Sequence, residues 1–345
     1  MPELTTIWFW LIALMFAAWA VLDGFDFGAG VLHRLVARTD TERREVLAAI
    51  GPVWDGNEVW LIAAGGSLFL AFPRLLAAGF SGFYLPVIFV VWGLILRGLS
   101  IELRSHLASP LWRSFFDLTF TLSSVVVPLL MGALLGNVVR GVPLNEQGYF
   151  ELALFPAEGE HGVLDGYSLL CGLLVLVTLT AHGANWLSWK TGGVVLERVR
   201  ALRVRLWLAT AVLWLAAVLA TSRVAPEVMG AFTARPLAWA GLLLCLGGLT
   251  TLFVKRASDR APFFGGAAFI TGCLVMTVAC LFPVVLRAHT PALSLTVTSA
   301  ASGPIALRAG LFWWGPGVFL AAGYLWWVLR HFRGKVTAAR DGEGY

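Results

Sequence analysis

Residues 7–36 read IWFWLIALMFAAWAVLDGFDFGAGVLHRLV, an apolar run broken only near its end by Asp23, Asp26 and a basic tail. A run of this length suffices to cross ~30 Å of hydrocarbon, which needs roughly 20 residues of helix. A second stretch, GPVWDGNEVWLIAAGG at 51–66, sets Asp55 and Glu58 at the head of another apolar run. A carboxylate near the centre of a membrane helix costs roughly 2.5–3.5 kcal/mol on insertion scales, so such groups are kept for a reason. Intramembrane acids usually mark a proton or ion route.

The rest of the chain agrees with a membrane setting. Of 345 residues, 59% are hydrophobic and 13% charged, with a mean hydropathy of +0.80, which excludes an ordinary soluble domain of this length. The formal charge of +5 points to nucleic acid only in a soluble chain; here the question is which side of the bilayer the cations occupy. The first apolar run has no basic segment before it and no small-residue cleavage pattern, so it is expected to be a retained helix and not a signal peptide.

Nine apolar runs are long enough to span, at about 7–36, 57–73, 76–97, 112–139, 163–188, 204–222, 236–254, 263–286 and 309–331. The chain therefore reads as all-α, one integral membrane domain over 1–345. Only Pro73 and Arg74 separate the second and third runs, which predicts a tight helical hairpin. Counting Lys and Arg in alternate connections puts 19 of 25 on one side, including Arg97, Arg104, Arg113, Lys255, Arg256 and Arg340. By the positive-inside rule the N-terminus is outside and the C-terminus cytoplasmic. The longer outer connections are 140–162, acidic through Glu146, Glu151, Glu158 and Glu160, and 287–308, where LSLTVTSA alternates like a short strand.

Asp23 and Asp26, three apart, share a helix face, and Gly24, Gly28 and Gly30 leave that region thinly covered, inviting close approach by a neighbouring helix. These glycines do not match a dinucleotide-binding loop. The plain alternative is that the aspartates cap or pair at a helix end with Arg34 or Arg38. Asp55 and Glu58 follow Pro52 at the expected first turn of the second span, where the plain reading is an N-cap with a capping-box partner. Topology puts both acid doublets toward the cytoplasmic side, so one shared pocket is expected. Trp54 and Trp60 read as interface-belt aromatics.

Of six histidines only His182, in TAHGANW, lies well inside an apolar run, with Gly183 beside it to admit a neighbour. A lone intramembrane His is more often a hydrogen-bonded structural residue than a haem ligand. Cys171, Cys245, Cys273 and Cys280 all sit in apolar runs without metal-ligand spacing and read as core residues.

In the order LDGFDFGAGVLHR, RTDTERREVLAAIGPVWDGNEVWLIAAGGSLFLAFP, AAGFSGFYLP, ELRSH and LWRSFFD, the chain resembles subunit II of the cytochrome bd-type quinol oxidases. Weaker echoes run through VPLLMGALLGNVVRGVPLN, FPVVLR and SLTVTSAAS, so the likeness covers nearly the whole chain. It implies nine membrane helices arranged as two four-helix bundles plus a peripheral helix, in a heterodimer of the bacterial cytoplasmic (inner) membrane. The complex oxidises quinol and reduces O2 to water; two b-type haems and one d-type haem reside in subunit I, and none in this chain. Asp23 and Asp26 match the family's first-helix acidic pair, and Trp54 and Asp55 its WDGN motif. The resemblance implies that Asp55 borders a hydrophilic channel from the cytoplasm and that Trp60 lies near an oxygen tunnel. Some relatives carry Gln where this chain has Glu58, some hold a structural quinone in this subunit, and the likeness leaves room for a small accessory subunit.

Three other readings of the residues stay open at this stage. A secondary transporter would use the acid doublets for ion coupling, although no second half repeats DGFD or WDGN. An autonomous haem protein would need more than His182. A structural scaffold would tolerate Asn at all four acids.

Overall fold

The computed structural model describes residues 2–156, 161–253 and 259–336. Glu158, Glu160, Lys255, Arg256 and Arg340 lie outside these described residues. Twelve helices follow in chain order: α1 (Pro2–Val36), α2 (Asp40–Ile50), α3 (Trp54–Ala71), α4 (Pro73–Gly82), α5 (Tyr84–Leu103), α6 (Pro110–Arg140), α7 (Gly166–Lys190), α8 (Gly193–Val224), α9 (Pro226–Ala234), α10 (Pro236–Phe253), α11 (Arg260–Leu281) and α12 (Pro304–His331). Seven are long and apolar enough to span a membrane alone, and there are nine spans if two bent pairs, α3 with α4 and α9 with α10, each count once. The protein is a multi-pass membrane protein.

The element boundaries have local causes. Thr39 and Glu42 form a reciprocal capping box that starts α2, and Asp165 with Ser168 does the same for α7. Ser109 caps α6, with Pro110 at its first position. Proline likewise opens α4, α9, α10 and α12, where its missing N–H costs nothing. The expected tight hairpin between the second and third spans is not what forms. The chain bends by 115° after Ala71, and the ten-residue α4 makes the reversal before α5 begins. Pro73 explains this, since it cannot continue α3 but readily begins a new helix. Helices α2, α4 and α9 were not foreseen, being too short for a span.

α1 and α7 form the centre of the fold. Residues 178–188 of α7 are all buried, and α7 packs on α1, α6, α8 and α11. A Cβ built on Gly28 would lie 2.1 Å from the Leu179 carbonyl oxygen and 2.7 Å from Gly183 Cα, so the two backbones touch. This is the close approach that the glycines of α1 predict, and Gly183 supplies the other half. α10 and α11 make a second glycine-lined pair, through Gly241, Gly248, Gly265 and Gly272. At the end of the bundle opposite α2, β1 (Val284–Leu286) and β2 (Leu295–Thr296) pair antiparallel, placing a strand within the stretch whose alternation predicts one.

Candidate functional site

Three of the four acids meet at the junction of α1, α3 and α5. Asp23 accepts from Arg97 Nη1 at 2.6 Å and from Trp19 Nε1 at 2.8 Å, one bond to each carboxylate oxygen. The other Arg97 terminal nitrogen donates to Glu58 Oε2 at 3.1 Å, and the guanidinium lies 4.1 Å over the Phe27 ring. Asp26 accepts from Asn57 Nδ2 at 2.7 Å. Asp23, Asp26, Asn57 and Arg97 are fully buried, whereas the Glu58 side chain keeps 20% of its exposure.

The fourth acid behaves differently. Asp55 sits one turn before Glu58 on α3, is exposed, and has no hydrogen bond or ion pair among the described residues. It does not cap the helix: Val53 occupies the N-cap position without a side-chain bond. The capping reading of Asp55 and Glu58 therefore fails, as does pairing of the aspartates with Arg34 or Arg38, both of which are exposed. Trp54 is half-buried, its ring against Gly98 of α5, and Trp60 is half-buried between two parts of the apolar core.

The partners that matter here, Arg97 and Asn57, were missed by sequence reasoning. Arg97 was counted among cations of a connecting loop, yet it lies inside α5 with no exposure. The signal that finds it is depth: an Arg in LILRGLSIEL falls where acids on two other helices need a counter-charge.

Charge balance defines what the site can do. One guanidinium faces three carboxyl groups, and low local dielectric makes an uncompensated charge expensive. Asp23 has both oxygens bonded and is held as the structural partner of Arg97. Asp26 has one oxygen, Oδ1, without a partner among the described residues, and so has Asn57 through its Oδ1. A side-chain amide serves a carboxyl in either state, its N–H donating to the anion and, turned over, its carbonyl accepting from the acid. The Asp26–Asn57 pair is thus suited to gaining and losing a proton without repacking.

A second buried network lies toward α2. Asp117 of α6 bonds His33 Nε2 at 2.6 Å, Arg43 at 2.9 Å and Arg104, which also reaches Asp40 at 2.8 Å. Asp40 in turn accepts from Arg113 at 2.8 Å. These bonds fasten α1, α2, α6 and the turn after α5 together.

His182, the histidine considered as a haem ligand, is engaged within this chain. His182 Nε2 donates to the Val21 carbonyl at 3.0 Å, and its ring stacks on Phe263 at 4.9 Å. Its other nitrogen lies against Gly266 of α11, where a Cβ would come within 2.7 Å. No group of three or more metal-ligating side chains occurs among the described residues.

Comparison with known proteins bears on the whole chain. The family described as Cytochrome bd terminal oxidase subunit II matches residues 4–332. Cytochrome bd-I ubiquinol oxidase subunit 2 of Escherichia coli K12 is 33% identical over 334 residues, covering 88% of this chain and 87% of that protein. Cytochrome bd ubiquinol oxidase subunit 2 of Bacillus subtilis 168 is 30% identical, covering 89% of each. A chain in the structure of bd oxidase from Geobacillus thermodenitrificans superposes with a TM-score of 0.75 at 17% identity, covering 96% of this chain and 98% of that one, a likeness of fold.

Proposed function

The chain belongs to the cytochrome bd terminal oxidase subunit II family, and on that premise we propose that it is the non-haem subunit of a quinol:O2 oxidoreductase, packed against a haem-bearing subunit I and forming one wall of its proton route. The haems, two of b type and one of d type, belong to the partner, where quinol oxidation and O2 reduction take place. The complex sits in the bacterial inner membrane with the N-terminus of this chain outside and the C-terminus cytoplasmic. Nine spans fall in two four-helix bundles with a peripheral helix.

The observation that carries this reading is the arrangement of acids across one junction. Asp55 stands exposed on α3, on the face that continues through Val59, Ile62 and Phe69, all exposed apolar residues. Lipid is a poor neighbour for such a carboxylate, whereas a second polytopic subunit can supply polar partners along the same face. From Asp55 the carboxyl groups continue inward one helical turn to Glu58 and then to Asp26 beside Asn57, with Arg97 and Asp23 as the fixed ion pair at their side. Reduction of O2 to water consumes protons, and a relay of carboxyl groups with one exposed end is a suitable supply. Trp54 and Trp60, both half-buried on α3, are the candidates for lining O2 access or the subunit interface.

The test uses the assembled oxidase. Asp55→Asn and Asp26→Asn slow quinol-driven O2 consumption while haem spectra show intact assembly. Unchanged turnover in an assembled variant removes that acid from the route. Asp23, with both oxygens bonded, favours a structural role, so Asp23→Asn is expected to reduce yield more than turnover per complex.

A further inference from the structure

At the α2 end of the molecule a cavity of about 400 Å³ opens between the α2–α3 corner, the last turn of α7 and the segment following α12. Its floor is apolar, with Trp186, Val53 and Leu329. Its polar lining is entirely cationic or imidazole: Lys190, His331, Arg333 and Lys335, with no Asp or Glu among the described lining residues.

Lys190 is the informative member. It is only 5% exposed, and its ammonium donates to the Phe332 carbonyl and lies 5.1 Å from the Trp186 ring centroid and 5.8 Å from that of Trp189. Two indole faces and a carbonyl oxygen orient the group but bring no negative charge. A buried ammonium ordinarily has a carboxylate beside it, because burial without a counter-ion is costly. Glu45, the acid that α2 sends toward this region, is occupied by the Gly192 backbone N–H at 2.7 Å and forms no ion pair with Lys190. Lys335 donates to the Thr191 carbonyl, which fixes a second ammonium near the first.

We propose that this cavity is a binding site for a phosphate group. Lys190 would contact it from below and Arg333 with Lys335 from the rim, and the apolar floor would receive an attached glyceryl or acyl portion. A basic pocket between helices at a membrane surface is the setting in which anionic lipid headgroups are held. Free phosphate or a soluble phosphorylated molecule presents the same group to the same donors.

Native mass spectrometry of the purified, delipidated oxidase complex tests this with three probes: phosphatidylglycerol, phosphatidylcholine and inorganic phosphate. With the lipid as source, phosphatidylglycerol is retained about tenfold more tightly than phosphatidylcholine, and Lys190→Gln cuts that retention about tenfold. With a soluble source, inorganic phosphate is retained by the unmodified complex and lost in the same variant. The paired change Arg333→Gln with Lys335→Gln, both exposed, carries the test if Lys190→Gln does not assemble. Equal retention of both lipids with no phosphate bound, or retention unaffected by either set of substitutions, overturns the proposal.

Discussion

Arg97 of α5 donates to Asp23 of α1 across 2.6 Å, and neither side chain has any exposure. The pair ties together two helices that are far apart in the chain, and it sets the depth at which Asp26 and Glu58 are held. A buried ion pair of this kind contributes little net stability relative to apolar residues of the same shape, but breaking it from one side is costly.

Arg97→Gln leaves Asp23 and Glu58 without their cation and is expected to cost about 3–5 kcal/mol, seen as loss of recoverable complex. Adding Asp23→Asn removes one of the stranded charges. The double variant should therefore be less destabilised than the sum of the single ones, as thermal unfolding of the purified complex will show. Simple additivity would mean that the two residues are not energetically coupled.

Asp117→Asn and Asp40→Asn separate buried from exposed pairing in the second network. Asp117 is 1% exposed and bonded to His33, Arg43 and Arg104, so its neutralisation should cost about 3–5 kcal/mol. The Asp40 side chain is 41% exposed, and its loss should cost at most about 1 kcal/mol. Melting temperatures of the two variants give the ranking directly.

Gly28→Ala forces α1 and α7 apart, because the new methyl would lie 2.1 Å from the Leu179 carbonyl oxygen. The expected cost is about 1–3 kcal/mol with reduced assembly. Gly247→Ala in α10, where nothing lies within 4 Å of the added carbon, should be neutral in the same expression assay.

Much of this architecture is written plainly in the sequence, and the exceptions share a cause. Apolar runs and the glycines of α1 were readable because each is a local pattern. α4 was not, since the consequence of Pro73 depends on whether the chain turns back at once or first runs along the bundle end. The acid doublets were visible as a cost, but their partners were not: Arg97 looked like one more cation at a helix end until α5 was placed beside α1. Asn57 gave no signal, being an ordinary polar residue next to a more conspicuous acid.

The connection between α1 and α3 lies outside the spans and carries a pH-dependent element. Glu42 accepts from the Arg38 backbone N–H at 2.6 Å, pairs with Arg198 at 2.7 Å and accepts from the Thr39 N–H. These bonds, the Arg38 N–H foremost, hold its carboxyl below the usual carboxylate range. A depressed folded value means that the stabilisation is complete above the unfolded value, about 4.3, and is lost as pH falls through the folded one. Amide protection of residues 40–50, corrected for intrinsic exchange, should decline as pH falls below about 4.3, and Glu42→Gln should weaken that dependence.

The Arg97–Asp23 bond also has a history in time. Its two members are 74 residues apart, so at a synthesis rate of about 5–20 residues per second α1 emerges roughly 4–15 s before its counter-ion. Throughout that interval the nascent first helix carries two bare aspartates and has no arginine to meet them. Its release into lipid is therefore expected to be deferred until α5 leaves the ribosome, which makes the order of helix departure from the insertion machinery differ from the order of their translation.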